Sequence, residues 1–139
     1  MSDAVLFDAR DDGIAIITLN RPETRNALSK EIRAGLFEAW ERFERDPALR
    51  IAILTGAGDK AFCAGGDLKE MVATGMQVPP RDMFPLPYDT VELSKPTIAA
   101  VNGVAFAGGW MIAQACDLCV ASSSAKFAVT EVKVGRSSP

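Results

Sequence analysis

Two stretches of the sequence share one layout: Ala61-Phe62-Cys63-Ala64-Gly65-Gly66-Asp67 at residues 61–67 and Ala107-Gly108-Gly109-Trp110 at residues 107–110. Each stretch brings the chain through a glycine pair to the start of a predicted helix. The first N–H groups of a helix lack an intrahelical partner and lie at the positive end of its dipole, and glycine lets a ligand approach the backbone closely. Two such helix starts directed at one point would form an oxyanion hole. Either pair alone is weak evidence, because most glycine pairs belong to turns or close packing contacts.

The segments around these two stretches alternate between strand and helix patterns. Asp12-Gly13 predicts a hairpin turn, Ser29 predicts a helix cap, and Asp67 with Glu70 predicts a capping box. The predicted strands are residues 5–9, 14–19, 51–55, 97–101, 118–121 and 126–129, and the predicted helices follow Ser29, follow Asp67 and cover residues 110–115. Strands that alternate with helices indicate an α/β fold.

The composition is that of one ordinary domain. The chain has 139 residues, of which 48% are hydrophobic and 24% are charged. The net charge of −3 gives no excess of positive charge for binding nucleic acid or an anionic membrane surface. The amino terminus is rich in Asp, unlike a signal or transit peptide, and no segment approaches the roughly 20 apolar residues of a membrane span. We therefore predict a cytoplasmic protein that does not enter the membrane.

The three cysteines and the absence of His restrict metal and nucleophile chemistry. Cys116 and Cys119 form a C-x-x-C pair, but a zinc site needs two further ligands. We therefore predict that the pair packs at a helix-to-strand junction and that the chain binds no metal. Cys63 is also predicted to pack, since a reactive thiol depends on a nearby base or cation. The glycine spacing does not match the dinucleotide fingerprint, which disfavours a hydride-transfer enzyme.

Residues 75–87 differ in composition from the rest of the chain, with Pro79, Pro80, Pro85 and Pro87 close together. This pattern predicts a loop or a lid, with a plain surface connection as the alternative. No capped element precedes the last residues, Ser137-Ser138-Pro139, and we expect a domain that is incomplete at this end.

Several motifs occur in order along the chain: Arg21-Pro22 with Asn26-Ala27-Leu28, residues 61–71, residues 95–103, residues 107–109 and Cys116-Asp117-Leu118. Together they resemble the crotonase superfamily, the family of enoyl-CoA hydratases and isomerases. The resemblance runs from about Val5 to Glu131. It implies a ββα superhelix in one acyl-CoA-binding domain over residues 1–139. It also implies a carboxy-terminal helical region, absent from this chain, and assembly as a homotrimer or hexamer.

The resemblance also implies roles for individual residues. The backbone N–H groups of Gly66 and Gly108 would bind the thioester oxygen of an acyl-CoA, and Glu131 would transfer a proton. The well-known hydratases use a second Glu at the position of Met111, and methionine cannot transfer a proton. A hydration that uses two carboxylates is therefore in doubt, whereas one carboxylate suits a double-bond isomerase or a less common lyase or hydrolase of the family. Hydration by Glu131 alone, with a water held by other groups, is the rival within the enzyme class. A family member that binds acyl-CoA without turnover, or serves as an assembly subunit, is the alternative.

Coenzyme A itself is the remaining implied ligand, with no cofactor beyond it. By resemblance it would lie across the turn at residues 25–28 and the loop at residues 64–67. For Arg25 and Lys69, the two basic residues among these contacts, the alternative interpretation is a solvated surface charge. The implied contacts are Arg25, Ala27, Leu28, Ala64, Asp67 and Lys69.

Overall fold

Two β-sheets organise the protein, whose computed structural model describes residues 3–75 and 80–135. In chain order the elements are β1 (Val5–Ala9), β2 (Ile14–Leu19), α1 (Lys30–Arg45), β3 (Ile51–Gly56), β4 (Ala61–Cys63), α2 (Leu68–Thr74), β5 (Thr97–Val101), β6 (Val104–Phe106), α3 (Gly108–Ala115), β7 (Leu118–Ala121) and β8 (Lys126–Ala128). Short 3-10 turns cover Pro22–Thr24, Arg81–Met83 and Glu131–Val134.

The larger sheet has the strand order β1-β2-β3-β5-β7 and the smaller sheet the order β4-β6-β8. The β1–β2 hairpin is antiparallel, and every other pairing is parallel. From β3 onwards each repeat adds one strand to each sheet and then a helix: β3-β4-α2, β5-β6-α3, and then β7-β8. This is the predicted ββα superhelix.

Helix α1 covers the larger sheet and forms much of the core. The Ser29 hydroxyl caps it by accepting a hydrogen bond from the Ile32 backbone N–H at 3.3 Å, as predicted. Its buried residues recur at helical spacing, and burying each large apolar side chain contributes about 1.5–3 kcal/mol. They are Ile32, Leu36, Ala39, Trp40 and Phe43, and they share one cluster with Ile17, Leu19 and Leu54 of the sheet.

The structure corrects three sequence-based expectations. Strands β4 and β6 were not predicted, because three residues are too few to show an alternating pattern. The predicted capping box is half right: Asp67 caps α2, but the Glu70 carboxylate accepts from the backbone N–H of Lys30 instead. Residues 76–79 of the predicted loop lie outside the described residues. The part from residue 80 onwards packs on the core through Phe84, which favours a packed connection over a lid.

None of the helices within residues 3–75 and 80–135 is both long and apolar enough to cross a membrane.

Candidate active site

Three segments that carry the predicted catalytic residues leave the same edge of the smaller sheet. Strand β4 leads to Gly66, β6 leads to Gly108, and β8 leads to Glu131. The strands are parallel neighbours, so their carboxyl ends lie side by side. In open α/β sheets, ligands bind at the carboxyl ends of strands. The topology thus brings the three predicted residues to one region.

The two glycine pairs touch each other. Gly65 has a φ of +99°, and a Cβ there would stand 2.9 Å from the Phe106 carbonyl oxygen and 3.6 Å from the Gly108 nitrogen. A Cβ at Gly109 would stand 2.2 Å from the Cys63 carbonyl oxygen. Real Cβ atoms do not approach backbone atoms this closely, so the contact between the two turns requires glycine at both positions.

The backbone N–H groups of Gly66 and Gly108 have no hydrogen-bond acceptor among the described residues. Gly108 is the first residue of α3, and the intrahelical ladder begins with the Met111 N–H donating to the Ala107 carbonyl at 3.0 Å. Within the described ranges, neither the Gly66 nor the Gly108 N–H donates to another protein group. Ala107 has φ 50° and ψ −120°, a backbone conformation that side-chain-bearing residues rarely adopt. Such strain persists where the surrounding structure enforces it, which is typical of functional sites.

Glu131 follows β8, and its carboxylate has an unpaired buried oxygen. The Ala107 N–H donates to the Ala128 carbonyl at 2.9 Å, which ties the start of the Glu131 segment to the Gly108 turn. Oε2 of Glu131 is buried and makes no hydrogen bond to any residue that the structure describes. A buried polar atom without a partner is costly and calls for an explanation. A bound substrate that exchanges a proton with this oxygen would provide one.

Apolar side chains lie on α3 at and beside Met111, the position where the resemblance implies a second Glu in the hydratases. Met111 is partly buried and packs against the core. Trp110 meets Phe127 of β8 edge to face, with ring centroids 4.9 Å apart. The sequence resemblance implies that Trp110 and Met111 line an apolar acyl pocket, and this role stays a prediction.

The turn at residues 25–28 is fixed by a buried side chain that the sequence analysis treated only as part of a motif. Asn26 is fully buried, with a φ of 55°. Its Oδ1 accepts from the Arg21 N–H at 2.9 Å, and its Nδ2 donates to the carbonyls of Ala57 and Ala61, each at 3.0 Å. Asn26 therefore holds the turn to the chain on both sides of the β3–β4 connection.

The same turn is bonded directly to the first glycine pair. The Ala64 N–H donates to the Arg25 carbonyl at 3.0 Å, and the Leu28 N–H donates to the Gly65 carbonyl at 2.7 Å. Leu28 also reaches Gly108, where an added Cβ would stand 2.9 Å from its Cδ1. The structure thus brings together Arg25, Ala27, Leu28 and Ala64.

The exposed side chain of Arg25 lines a small cleft. The cleft has a volume of about 170 Å³ and is lined by Pro22, Arg25, Ala57, Gly58, Asp59, Lys60 and Ala61. Lys60 is a second cation in this cleft and was not among the predicted contacts. No motif contains Lys60, so the folded chain alone reveals its position beside Arg25.

The last two predicted coenzyme A contacts lie at the start of α2. The Asp67 carboxylate accepts from the N–H groups of Lys69 and Glu70 at 3.1 and 3.2 Å and lies 4.0 Å from Nη1 of Arg21. Its observed contacts are therefore those of a helix cap and an ion pair. Lys69 is exposed. A direct contact of either side chain with coenzyme A stays a prediction.

The buried thiols do not have the surroundings of nucleophiles. Burial raises the pKa of the Cys63 thiol to about 12, and it likewise raises the pKa of Cys116 to about 12. Both thiols pack, as predicted, whereas Cys119 is exposed. In the part of the chain that the structure covers, no three Cys, Asp or Glu residues gather into a potential metal site.

Comparison with known proteins decides the family. The family model described as Enoyl-CoA hydratase/isomerase matches residues 9–139. The chain belongs to the enoyl-CoA hydratase/isomerase family. This is the family that the motifs resemble, and its matched members carry the names of enzymes.

Members of the hydratase/isomerase family match over most of this chain. The (E)-benzylidenesuccinyl-CoA hydratase of Thauera aromatica is 50% identical over 87% of the chain and 48% of its own length. The mitochondrial enoyl-CoA hydratase of Pongo abelii is 42% identical over 91% of the chain and 43% of its own length. The crystal structure of enoyl-CoA hydratase EchA1 from Mycobacterium marinum matches with a TM-score of 0.86 and 39% identity, over 99% of this chain and 53% of that one. The chain thus spans about half the length of these relatives.

Proposed function

We propose that the protein acts on an acyl-CoA thioester by stabilising an enolate. The N–H groups of Gly66 and Gly108 donate to the thioester oxygen, and Glu131 transfers the proton. The proposal is supported by two amides and a buried carboxylate oxygen that have no hydrogen-bond partner among the described residues. All three lie on segments that follow the carboxyl ends of neighbouring parallel strands.

The chemistry follows from where charge develops. When Glu131 removes a proton from the carbon next to the thioester, the electron pair moves to the carbonyl oxygen, which the two amides stabilise. One preorganised donor of this kind contributes about 3–4 kcal/mol to the transition state. The protonated Glu131 then returns the proton at the γ carbon, which moves the double bond. This route uses one carboxylate and no cofactor beyond coenzyme A.

Hydration is the second candidate. The names of the relatives support it, since several are hydratases or dehydratases. Met111 favours the one-carboxylate route instead, because hydration would need another group to hold the water. The non-catalytic alternative is not favoured, because the matched relatives are named as enzymes.

The proposed coenzyme A site is the surface around residues 25–28 and 64–67. It is supported by the hydrogen bonds that join these two segments and by the exposed Arg25 and Lys60 in one cleft. Their positive charges suit phosphate groups. Assembly as a homotrimer or hexamer and a cytoplasmic location remain predictions.

The test measures 3-enoyl-CoA isomerisation and crotonyl-CoA hydration by the full protein and its Glu131→Gln variant. We expect the variant to lose about 10²–10⁴-fold in kcat while it binds crotonyl-CoA as the unchanged protein does. Glu92→Gln, an exposed carboxylate, is the matched control and should keep full activity. Turnover by Glu131→Gln at the original rate, or no turnover by the unchanged protein, would refute the proposal.

A further inference from the structure

Phe84 lies against the start of α3. It is buried, and a Cβ added to Gly108 would stand 3.3 Å from its Cε1. Next to it, the Pro85 carbonyl accepts a hydrogen bond from Nε1 of Trp40 at 3.3 Å. The Phe84 ring therefore bounds the space beside the Gly108 turn.

Tyr88 ties the same segment, residues 84–91, to the other end of α3. Its hydroxyl donates to the carboxylate of Asp117, just beyond α3, and lies 3.2 Å from the Thr97 hydroxyl and 2.9 Å from the Lys95 carbonyl oxygen. The Asp117 carboxylate also accepts from the Thr97 backbone N–H at 2.8 Å, which fixes its position. One short segment thus contacts α3 at its first turn and next to its last.

The conformation of Tyr88 needs this support. Its φ is 64°, which is unfavourable for a bulky side chain. Burial raises the pKa of Tyr88 to about 12, and the hydrogen bond from Tyr88 lowers the pKa of Asp117. The donor and the charged acceptor therefore persist throughout the neutral pH range.

We propose that Tyr88 is a positioning residue, which keeps Phe84 against Gly108 and thereby limits the size of the acyl group. The inference rests on the proposed function, since Gly108 is there a donor to the thioester oxygen. Only three residues separate Phe84 from Tyr88, so loss of the hydroxyl contacts frees one end of this segment. The Thr90 hydroxyl and the Trp40 ring still donate to the carbonyls of Phe84 and Pro85 at its other end.

The first test compares crotonyl-CoA with a ten-carbon 2-enoyl-CoA in the full protein and in Tyr88→Phe. Tyr88 is 43% exposed, so water replaces part of the lost hydrogen bond. The kcat/KM ratio of long to short substrate should therefore rise by about two- to tenfold. The kcat for crotonyl-CoA should stay unchanged, because Tyr88 affects the room for the acyl group and takes no part in the proton transfer. Glu92→Gln, an exposed neighbour of the segment, should leave the ratio unchanged.

A double-mutant cycle tests whether Tyr88 acts through Phe84. Phe84→Leu alone should raise the same ratio, and adding Tyr88→Phe should change it little further. An unchanged ratio in Tyr88→Phe, or full additivity of the two substitutions, overturns the inference while leaving the proposed function intact.

Hydrogen exchange separates failure of this inference from failure of the proposed function. Tyr88→Phe should speed the exchange of the hydrogen-bonded amides in residues 86–91 by about two- to tenfold. If the unchanged protein turns over neither substrate, the proposed function fails, and equal exchange in both proteins then overturns the positioning role as well. Faster exchange together with changed selectivity supports it.

Discussion

At the scale of single residues, Asn26 shows how one side chain fixes a candidate ligand-binding turn. Asn26→Ala would remove the three hydrogen bonds that its side chain makes with the Arg21 N–H and with the carbonyls of Ala57 and Ala61. The Ala61 carbonyl would keep only a 3.4 Å hydrogen bond from Nδ2 of Asn102. We expect the free energy of unfolding to fall by about 2–4 kcal/mol. Urea denaturation measures the change, and Glu92→Ala, at an exposed site, should change it by less than about 0.5 kcal/mol. A loss as small as that of Glu92→Ala would contradict the role given to Asn26.

Gly65 and Gly75 form a second pair at this scale, because both have positive φ but different surroundings. Among the described residues, an alanine at Gly75 meets nothing within 4 Å, whereas one at Gly65 meets the Phe106 carbonyl and Ala107. Gly75→Ala should therefore cost only the conformational strain, about 1–2 kcal/mol, and keep crotonyl-CoA binding. Gly65→Ala should weaken that binding at least about tenfold by separating the two turns. Equal binding by the two variants, measured by calorimetry, would contradict the contact between the turns.

At this scale, the sequence predicted hydrogen bonds between residues close in sequence well and contacts between distant residues poorly. Ser29 could be predicted as a cap because its hydrogen-bond partner lies three residues away. The partners of Asn26 in the β3–β4 connection lie more than thirty positions away, and the place of Lys60 beside Arg25 likewise depends on the fold. The motif resemblance supplied Gly66, Gly108 and Glu131, and their catalytic roles stay predictions.

At the scale of elements, Glu70 joins α1 to α2. Its carboxylate accepts from Nη2 of Arg33 at 2.9 Å and from the Lys30 N–H at 2.7 Å, and both partners are in the first turn of α1. Glu70→Ala would remove the acceptor of the partly buried Arg33 Nη2 and of the exposed Lys30 N–H, and it should destabilise the protein by about 1–3 kcal/mol. Glu41→Ala removes an ion pair of α1 that is largely exposed, and it should cost no more than about 0.5 kcal/mol. Thermal unfolding compares the two variants, and equal losses would contradict the role of Glu70.

The short length of β4 and β6 explains why the sequence did not predict them. Each is only three residues long and gains its hydrogen bonds from partners such as Ala61 and Val104, which are distant in sequence. The longer strands β1, β2, β5 and β7 were predicted with their observed ends, because alternation or a continuous apolar run marks them locally. The smaller sheet, which carries the candidate site, is thus the part that local patterns describe least.

At the scale of the whole molecule, the buried thiols predict how stability depends on pH. Folding raises the pKa of Cys63 and of Cys116 from about 9 to about 12. Their contribution to stability is therefore complete below about pH 9 and is lost as the pH rises towards about 12. The free energy of unfolding should fall over this range, and Cys63→Ala should reduce that fall. Iodoacetamide should modify Cys63 only after unfolding, and modification of Cys63 in the folded protein at pH 8 would contradict the account.

The overall architecture was predictable because motif order and element order agree. The strand and helix patterns gave α/β, and the motif resemblance gave the ββα superhelix that the two sheets display. How the repeats stack could not be obtained from composition or periodicity, since it depends on close backbone contacts such as that of Gly109 with Cys63.

The most direct test of the central claim is a crystal structure of the full protein with a bound acyl-CoA. The account predicts the thioester oxygen within about 2.7–3.1 Å of the Gly66 and Gly108 nitrogens, with the Glu131 carboxylate beside the neighbouring carbon. A thioester oxygen bonded to neither amide, or an acyl group bound away from the carboxyl ends of β4, β6 and β8, would contradict it.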